Sequence, residues 1–194
     1  MSRFFDINGE EQTSALAVNG RHLTTLKKLG VADAAMAAIG AKQTPFGVQR
    51  CDMRGKQFFE PTREPYGVDA VIMPVVAEGT TIDLISWRTL APDAWLWRNG
   101  DGWALGIDII TSPPLWDGFQ EITLHATPLD WLRAGGTGAV ILDWAAVPHI
   151  RRLAMFDTIL CDHPTVQKRL ASILNAPERK PKIIAAGTRH GRAA

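Results

Sequence analysis

The sequence predicts an α/β fold (α+β overall): an N-terminal helical hairpin, a central antiparallel β-meander and a C-terminal parallel βαβ sheet. Apolar residues recur near helical spacing before residue 40, and three β-branched and aromatic segments follow after residue 67. From Glu121 onward, short apolar strands alternate with helical segments. We therefore divide the chain into a helical, loop-rich annex (1–66), the meander (67–120), the parallel unit (121–187) and a flexible tail (188–194).

Length and charge restrict the class of protein. A chain of 194 residues with 46% hydrophobic content can bury the core of one compact domain. The net charge of +1 gives no global attraction to nucleic acid, so any basic patch must be local. No apolar run reaches about 20 residues, and the N-terminus lacks a signal-peptide pattern, so we expect a cytoplasmic protein without membrane contact. Cys51 and Cys161 belong to no CxxC pair and are interpreted as reduced thiols.

Residues 13–40 are expected to form the two helices of the hairpin. Leu16, Leu23, Leu26 and Leu29 lie near helical spacing, and Gly30 is a natural helix stop. A second helix, "VADAAMAAIG", ends in the same way. A packing role is favoured over a DNA-reading helix-turn-helix, because few cations lie on these segments.

The next segments are expected to form β-structure. Residues 41–66 carry turn signals, with a small hairpin around "VQRCDMRGKQFFE". The meander strands are "VDAVIMPVV", "TTIDLISWRT" and "AWLWRNGDGWALGI", and the "NGDG" within the last is typical of a tight turn. Seven Trp against one Tyr is a high ratio, and we interpret the indoles first as packing or interface anchors.

The C-terminal strands are predicted to be parallel. "EITLHA", "GAVILDW", "DTILCD" and "PKIIAAG" are separated by the helical segments "PLDWLRAG", "VPHIRRLAMF" and "PTVQKRLASILN". Ligands of such sheets collect beyond the carboxyl ends of the strands. Polar side chains there are therefore candidate site residues.

Three such residues follow the predicted strands: His125, Asp143 and Asp162. Two carboxylates there would form a divalent-cation site, and magnesium is the one cofactor the sequence suggests. The alternatives are that each Asp caps the following helix and that His125 is a buried, hydrogen-bonded histidine.

Other catalytic motifs do not occur in the sequence. It contains no G-x-S-x-G, Walker A, G-x-G-x-x-G or H-E-x-x-H pattern, and the glycine-rich "RAGGTGAV" leads into a strand rather than a helix. Basic residues concentrate in the C-terminal third. We predict phosphate contacts from Arg151, Arg152, Lys168 and Arg169, against the alternative of solvated helix faces.

Residues 121–186 resemble a Toprim domain, the catalytic module of primases and topoisomerases. "PLDWL" is similar to the segment after the Toprim Glu, and "TILCDHPTVQKRL" is similar to its Asp-x-Asp segment. "WRNGDGWALGID" resembles the segment that precedes Toprim in phage- and plasmid-type primases. The resemblance implies a Toprim-like, Rossmann-like sheet and a role near DNA replication.

The sequence departs from the family at the metal-binding positions. Ala126 stands where the family has Glu, Pro164 stands where it has the second Asp, and Asp162 alone remains. One carboxylate holds magnesium weakly, and phosphoryl transfer depends on that ion. The resemblance therefore implies a degenerate, non-catalytic unit.

Three hypotheses follow. The first is a non-catalytic accessory protein of phage, prophage or plasmid type that binds nucleic acid or a replication partner, through the basic helices and the Trp-rich meander. The second is a metal-dependent nucleotidyl- or phosphoryl-transfer enzyme that uses Asp143, Asp162 and His125. The third is a structural or assembly protein whose tryptophans anchor an interface.

Overall fold

The computed structural model describes residues 6–59, 67–111 and 120–176, which form a mixed α+β fold with two sheets. The helices are α1 (Ile7–Leu16), α2 (Gly20–Lys28), α3 (Asp33–Gly40), α4 (Ile107–Thr111), α5 (Pro128–Arg133), α6 (Val147–Ile150) and α7 (Pro164–Leu174), and a 3₁₀ turn spans Arg151–Met155. The strands are β1 (Gly47–Arg54), β2 (Gln57–Phe59), β3 (Val68–Ala77), β4 (Thr80–Arg88), β5 (Ala91–Trp97), β6 (Ala104–Leu105), β7 (Glu121–His125), β8 (Ala139–Ile141) and β9 (Thr158–Cys161). None of the described helices is both long enough and apolar enough to cross a bilayer.

The N-terminal region is helical as predicted, but it forms three helices instead of a two-helix hairpin. The extra boundary lies at Asn19, whose side chain starts α2 in a capping box with His22. Asp6 caps α1, and Gly30, at φ +87°, ends the turn after α2. Leucine spacing alone did not reveal the Asn19 boundary, because the leucines continue across it.

Strands β1 to β5 form a closed barrel in the order β1-β2-β5-β4-β3. The predicted hairpin and the antiparallel order of the meander are confirmed: β1 pairs antiparallel with β2 and β3, and β4 pairs antiparallel with β3 and β5. The third predicted strand, "AWLWRNGDGWALGI", is wrong in its second half, because the chain turns after Trp97 and Ala104–Leu105 form β6 of the second sheet. The closure was not predicted. It depends on parallel pairing of β2 with β5 at Gln57 and Trp97.

Helix α1 is fixed on the barrel by a buried ion pair. Glu10 accepts hydrogen bonds from Arg98 Nε at 2.6 Å and from Arg98 Nη2 at 2.8 Å. The side chains of Arg98 and Glu10 are only 7% and 14% exposed. Close packing adds to this contact, because a Cβ at Gly47 would lie 2.1 Å from Ser14 Oγ.

The second sheet has the order β6-β8-β7-β9. β7 pairs in parallel with β8 and β9, which confirms the predicted parallel core, and β6 adds an antiparallel edge. The last predicted strand, "PKIIAAG", and the predicted flexible tail lie outside the described residues.

The barrel and the second sheet share a hydrophobic core. One cluster of buried side chains includes Met73 and Ile85 of the barrel together with Leu124 and Val140 of the sheet. The Trp95 indole N–H of β5 donates to the Leu142 carbonyl just beyond β8 at 3.3 Å. The end of β8 is therefore held against the outer face of β5.

Candidate functional site

The carboxyl ends of β7 and β9 bring His125 and Asp162 together. His125 Nδ1 lies 3.0 Å from Asp162 Oδ2, and His125 Nε2 lies 3.0 Å from the Thr137 carbonyl oxygen. The imidazole is buried, with a side-chain exposure of 9%. Both ring nitrogens therefore face acceptor oxygens, which favours the interpretation of His125 as a buried, hydrogen-bonded histidine.

The two aspartates predicted as metal ligands have different surroundings. Asp143 follows β8 and Asp162 follows β9, and β7 lies between these strands, so the strands are roughly 10 Å apart. Asp143 Oδ1 accepts the Ala145 N–H at 2.9 Å. Among the described residues, no group of three or more His, Cys, Asp or Glu side chains could hold a metal ion.

The predicted capping roles of these aspartates are also not observed. The N-cap residue of α7 is His163, whose Nδ1 accepts the Thr165 N–H, and the N-cap residue of α6 is Ala146, which forms no side-chain cap. Asp143 instead closes a local turn. Asp162 contacts a histidine because its side chain points back to the neighbouring strand β7.

The four predicted phosphate-binding residues lie on the C-terminal helical segments. Arg152, Lys168 and Arg169 are exposed, whereas Arg151 is half-buried and donates to the Ala176 carbonyl. The Arg169 guanidinium lies 4.8 Å from the centre of the Trp144 ring, a cation–π contact. Of the four, Arg169 alone lines the cavity described next.

A groove opens where the barrel meets the second sheet, and we call it the tryptophan groove. Its cavity measures about 350 Å³, and its main lining residues are Lys56, Trp95, Trp97, Asp143, Trp144 and Arg169. A second cavity of about 260 Å³ shares Lys56, Trp97 and Asp143 and adds Gln57 and Gly100. The three indoles of the groove are half-buried, whereas Trp87 is 1% exposed and belongs to the core.

Backbone contacts hold the indoles in place. The Trp97 N–H donates to the Lys56 carbonyl at 2.9 Å, so barrel closure itself places Lys56 beside Trp97. The Trp97 indole N–H donates to the Gly102 carbonyl at 2.7 Å, and that of Trp95 is taken up by Leu142. With both N–H groups engaged, these two indoles have no free hydrogen-bond donor left to direct at the cavity that they line.

A buried carboxylate organises the loop beside the groove. Asp83 has 0% exposure and accepts five backbone N–H groups at 2.8–2.9 Å, namely those of Leu84, Asn99, Gly100, Asp101 and Gly102. Charged acceptors strengthen such bonds, so Asp83 fixes the turn predicted at "NGDG". That turn carries Gly100 of the second cavity and the Gly102 carbonyl that binds Trp97.

Both thiols are free and have raised pKa values. Burial raises the pKa of Cys51, which lies under α1, to about 12. Burial and the neighbouring Asp162 carboxylate raise the pKa of Cys161. Both thiols are therefore poor nucleophiles near neutral pH, because the thiolate is the reactive form.

No sequence motif marks Lys56 or Asp83 as a functional residue. Lys56 comes to the groove only through closure of the barrel, and no local pattern predicts that. The role of Asp83 could have been predicted, because an aspartate inside the apolar strand "TTIDLISW" needs buried hydrogen-bond donors.

Comparisons with known proteins do not assign this chain to a family. No family model, curated protein or solved structure matches it.

Proposed function

We propose that this chain binds single-stranded nucleic acid in the tryptophan groove, as a non-catalytic accessory protein. The observation that carries the proposal is that three half-buried indoles and the side chains of Lys56 and Arg169 line one cavity. The Trp-rich meander and the basic C-terminal helices supply the two halves of this one groove.

The lining provides both interactions that unpaired strands require. Bases stack on aromatic rings with about 1–3 kcal/mol per base, and cations contact the phosphates between them. The hydrogen bonds that fix Trp95 and Trp97 orient their rings before a ligand arrives. The bases of a duplex are already paired and stacked, so the groove suits single strands.

The C-terminal unit supports the non-catalytic part of the proposal. β7 and β9 are parallel neighbours, so the positions where Toprim domains carry their acids would lie side by side. Here those positions hold Ala126, Asp162 and Pro164, and Asp162 contacts His125. We propose a degenerate Toprim-like unit that serves as a scaffold for the groove. The resemblance supports a role near the DNA replication of a phage, prophage or plasmid.

The remaining predicted cations lie outside the groove lining. We propose that Arg151, Arg152 and Lys168 contact phosphates of the strand where it leaves the groove. Lys168 is next to Arg169 in α7 and is exposed. Their contribution should be electrostatic and should fall steeply with salt.

The proposal is tested by fluorescence anisotropy of a labelled mixed-sequence 12-nucleotide single strand at low salt. Wild type should bind, and Trp144→Ala should weaken binding about 5- to 150-fold, the equivalent of one lost stack. Arg169→Glu should weaken binding at least tenfold. Circular dichroism checks that each variant is folded.

Lys168→Glu is the matched comparison, because it makes the same charge change one residue away, at a residue proposed to contact phosphate only outside the groove. A groove contact predicts that Arg169→Glu weakens binding much more than Lys168→Glu, whereas a diffuse basic surface predicts equal effects. Absence of binding by wild type at low salt would refute the proposal. If concentration-dependent oligomers that Trp144→Ala disrupts accompanied that absence, the protein would instead be an assembly component.

A further inference from the structure

Asp143 is an unexpected residue in a groove that binds a polyanion. It lines both cavities, together with Lys56 and Trp97. Hydrogen bonds fix both the backbone and the carboxylate of Asp143. The Asp143 N–H donates to the Trp103 carbonyl, and Asp143 Oδ1 accepts the Ala145 N–H. Asp143 Oδ2 accepts no hydrogen bond from the residues that the structure describes.

Gln57, which also lines the second cavity, supplies a further acceptor. Gln57 Nε2 donates to the Arg98 and Asn99 carbonyls at 3.5 and 3.2 Å. This assignment leaves Gln57 Oε1 to accept. A flat, stackable ring whose edge carries hydrogen-bond donors would satisfy these two acceptors, and Lys56 of the same cavity is left to contact a phosphate.

Among the nucleobases, guanine meets this requirement best. Its N1–H and N2–H₂ groups are adjacent donors that can engage one carboxylate. Adenine and cytosine present one amino group beside an acceptor nitrogen, and thymine and uracil present one N–H between two carbonyl oxygens. A carboxylate beside those carbonyl oxygens is repulsive, so it discriminates against thymine and uracil most strongly.

We infer that the tryptophan groove is selective for guanine, and that Asp143 is the specificity-determining residue. The inference rests on the proposed binding of single strands. A good bidentate pair discriminates between bases by a factor of about 5 to 150. The Asp143 carboxylate should also weaken the binding of strands without guanine, because it repels their phosphates and receives no hydrogen bond from a base in return.

The test uses four labelled 10-nucleotide strands of thymidine whose central position is guanine, adenine, cytosine or thymine. Anisotropy titrations should show wild type binding the guanine strand about 5- to 150-fold more tightly than the thymine strand. Asp143→Asn should reduce this ratio below about threefold and bind the thymine strand as tightly as wild type or more tightly. Asp101→Asn, at an exposed carboxylate of the neighbouring loop that lines neither cavity, is the control and should keep the wild-type ratio.

The outcomes separate the inference from the function beneath it. Equal binding of all four strands by wild type, or a guanine preference that survives Asp143→Asn, overturns the inference and leaves single-strand binding intact. A loss of preference in Asp101→Asn as large as in Asp143→Asn also overturns it. Failure of wild type to bind any of the strands overturns both.

Discussion

Replacing Asp83 by Asn should damage both the stability of the fold and the groove. Asn is nearly isosteric with Asp, but one of its terminal atoms is an NH₂ donor. Three of the five backbone N–H groups point to Asp83 Oδ2 and two point to Oδ1. The amide of the substituted Asn loses fewest bonds when its oxygen takes the place of Oδ2, where it keeps three of these partners. Its NH₂ group then takes the place of Oδ1 and faces the N–H groups of Leu84 and Asn99.

The magnitude follows from these two orphaned donors. Each buried unsatisfied group costs about 1–3 kcal/mol, so Asp83→Asn should lower the free energy of unfolding by about 2–6 kcal/mol. Out of a typical 5–15 kcal/mol this is a large share. For a chain of this size the Tm should fall by roughly 4–24 °C. The Gly102 carbonyl would also lose its fixed position beside Trp97, so binding should weaken even where the variant remains folded.

Urea unfolding followed by circular dichroism measures the change in free energy. Asp101→Asn is the matched control: it makes the same charge change in the same loop, where the Asp101 side chain is exposed and forms no hydrogen bond with the described residues. This control should stay within about 0.5 kcal/mol of wild type. If Asp83→Asn were equally neutral, the role assigned to the buried carboxylate would be refuted.

Two further predictions concern the attachment of α1 to the barrel. Glu10→Gln should lower the free energy of unfolding by about 3 kcal/mol or more, because it removes the anionic half of a buried ion pair. Asp33→Asn, at an exposed ion pair, should change the free energy of unfolding by less than about 1 kcal/mol in urea titrations. If Glu10→Gln lowered the free energy of unfolding by less than about 1 kcal/mol, the role assigned to the buried ion pair would be contradicted. Burial raises the pKa of Cys51 from its ordinary value of 9.0 to about 12 in the folded protein. The protonated thiol therefore stabilises the folded state fully below pH 9. This contribution declines by about 1.4 kcal/mol for each pH unit as the pH rises from 9 toward 12. Between pH 8 and 10 the free energy of unfolding should therefore fall more steeply with pH in wild type than in Cys51→Ala. Equal pH dependence in the two proteins would contradict this prediction.

The sequence predicted those parts of the fold that depend on local pattern. The parallel strands are apolar runs between helices, and burial on both faces requires that pattern. The hairpin and meander are marked by turn residues such as Gly55, whose φ is +62°. The helix boundary at Asn19 was not predicted, because the leucine pattern continues across it. The closure of the barrel was not predicted either, because it depends on one pair of residues distant in sequence, Gln57 and Trp97.

The candidate site was predicted in parts but not as a whole. The basic segment indicated Arg169, and the tryptophan content indicated the meander, yet nothing local shows that Arg169 stacks on Trp144. Asp143 was selected as a strand-end residue, the position at which it does line the groove. Its proposed partner differs from the predicted metal ion, because the groove surrounds it with indoles and the described residues contain no group of three or more His, Cys, Asp or Glu side chains that could hold a metal ion.

The most direct test of the groove is ¹⁹F NMR of protein labelled with 5-fluorotryptophan, with each resonance assigned by single Trp→Phe exchange. On titration with a single strand, the resonances of Trp95, Trp97 and Trp144 should shift together, and that of the core residue Trp87 should stay in place. Saturable binding that leaves the three groove resonances unmoved would contradict the account, because the strand would then contact another surface.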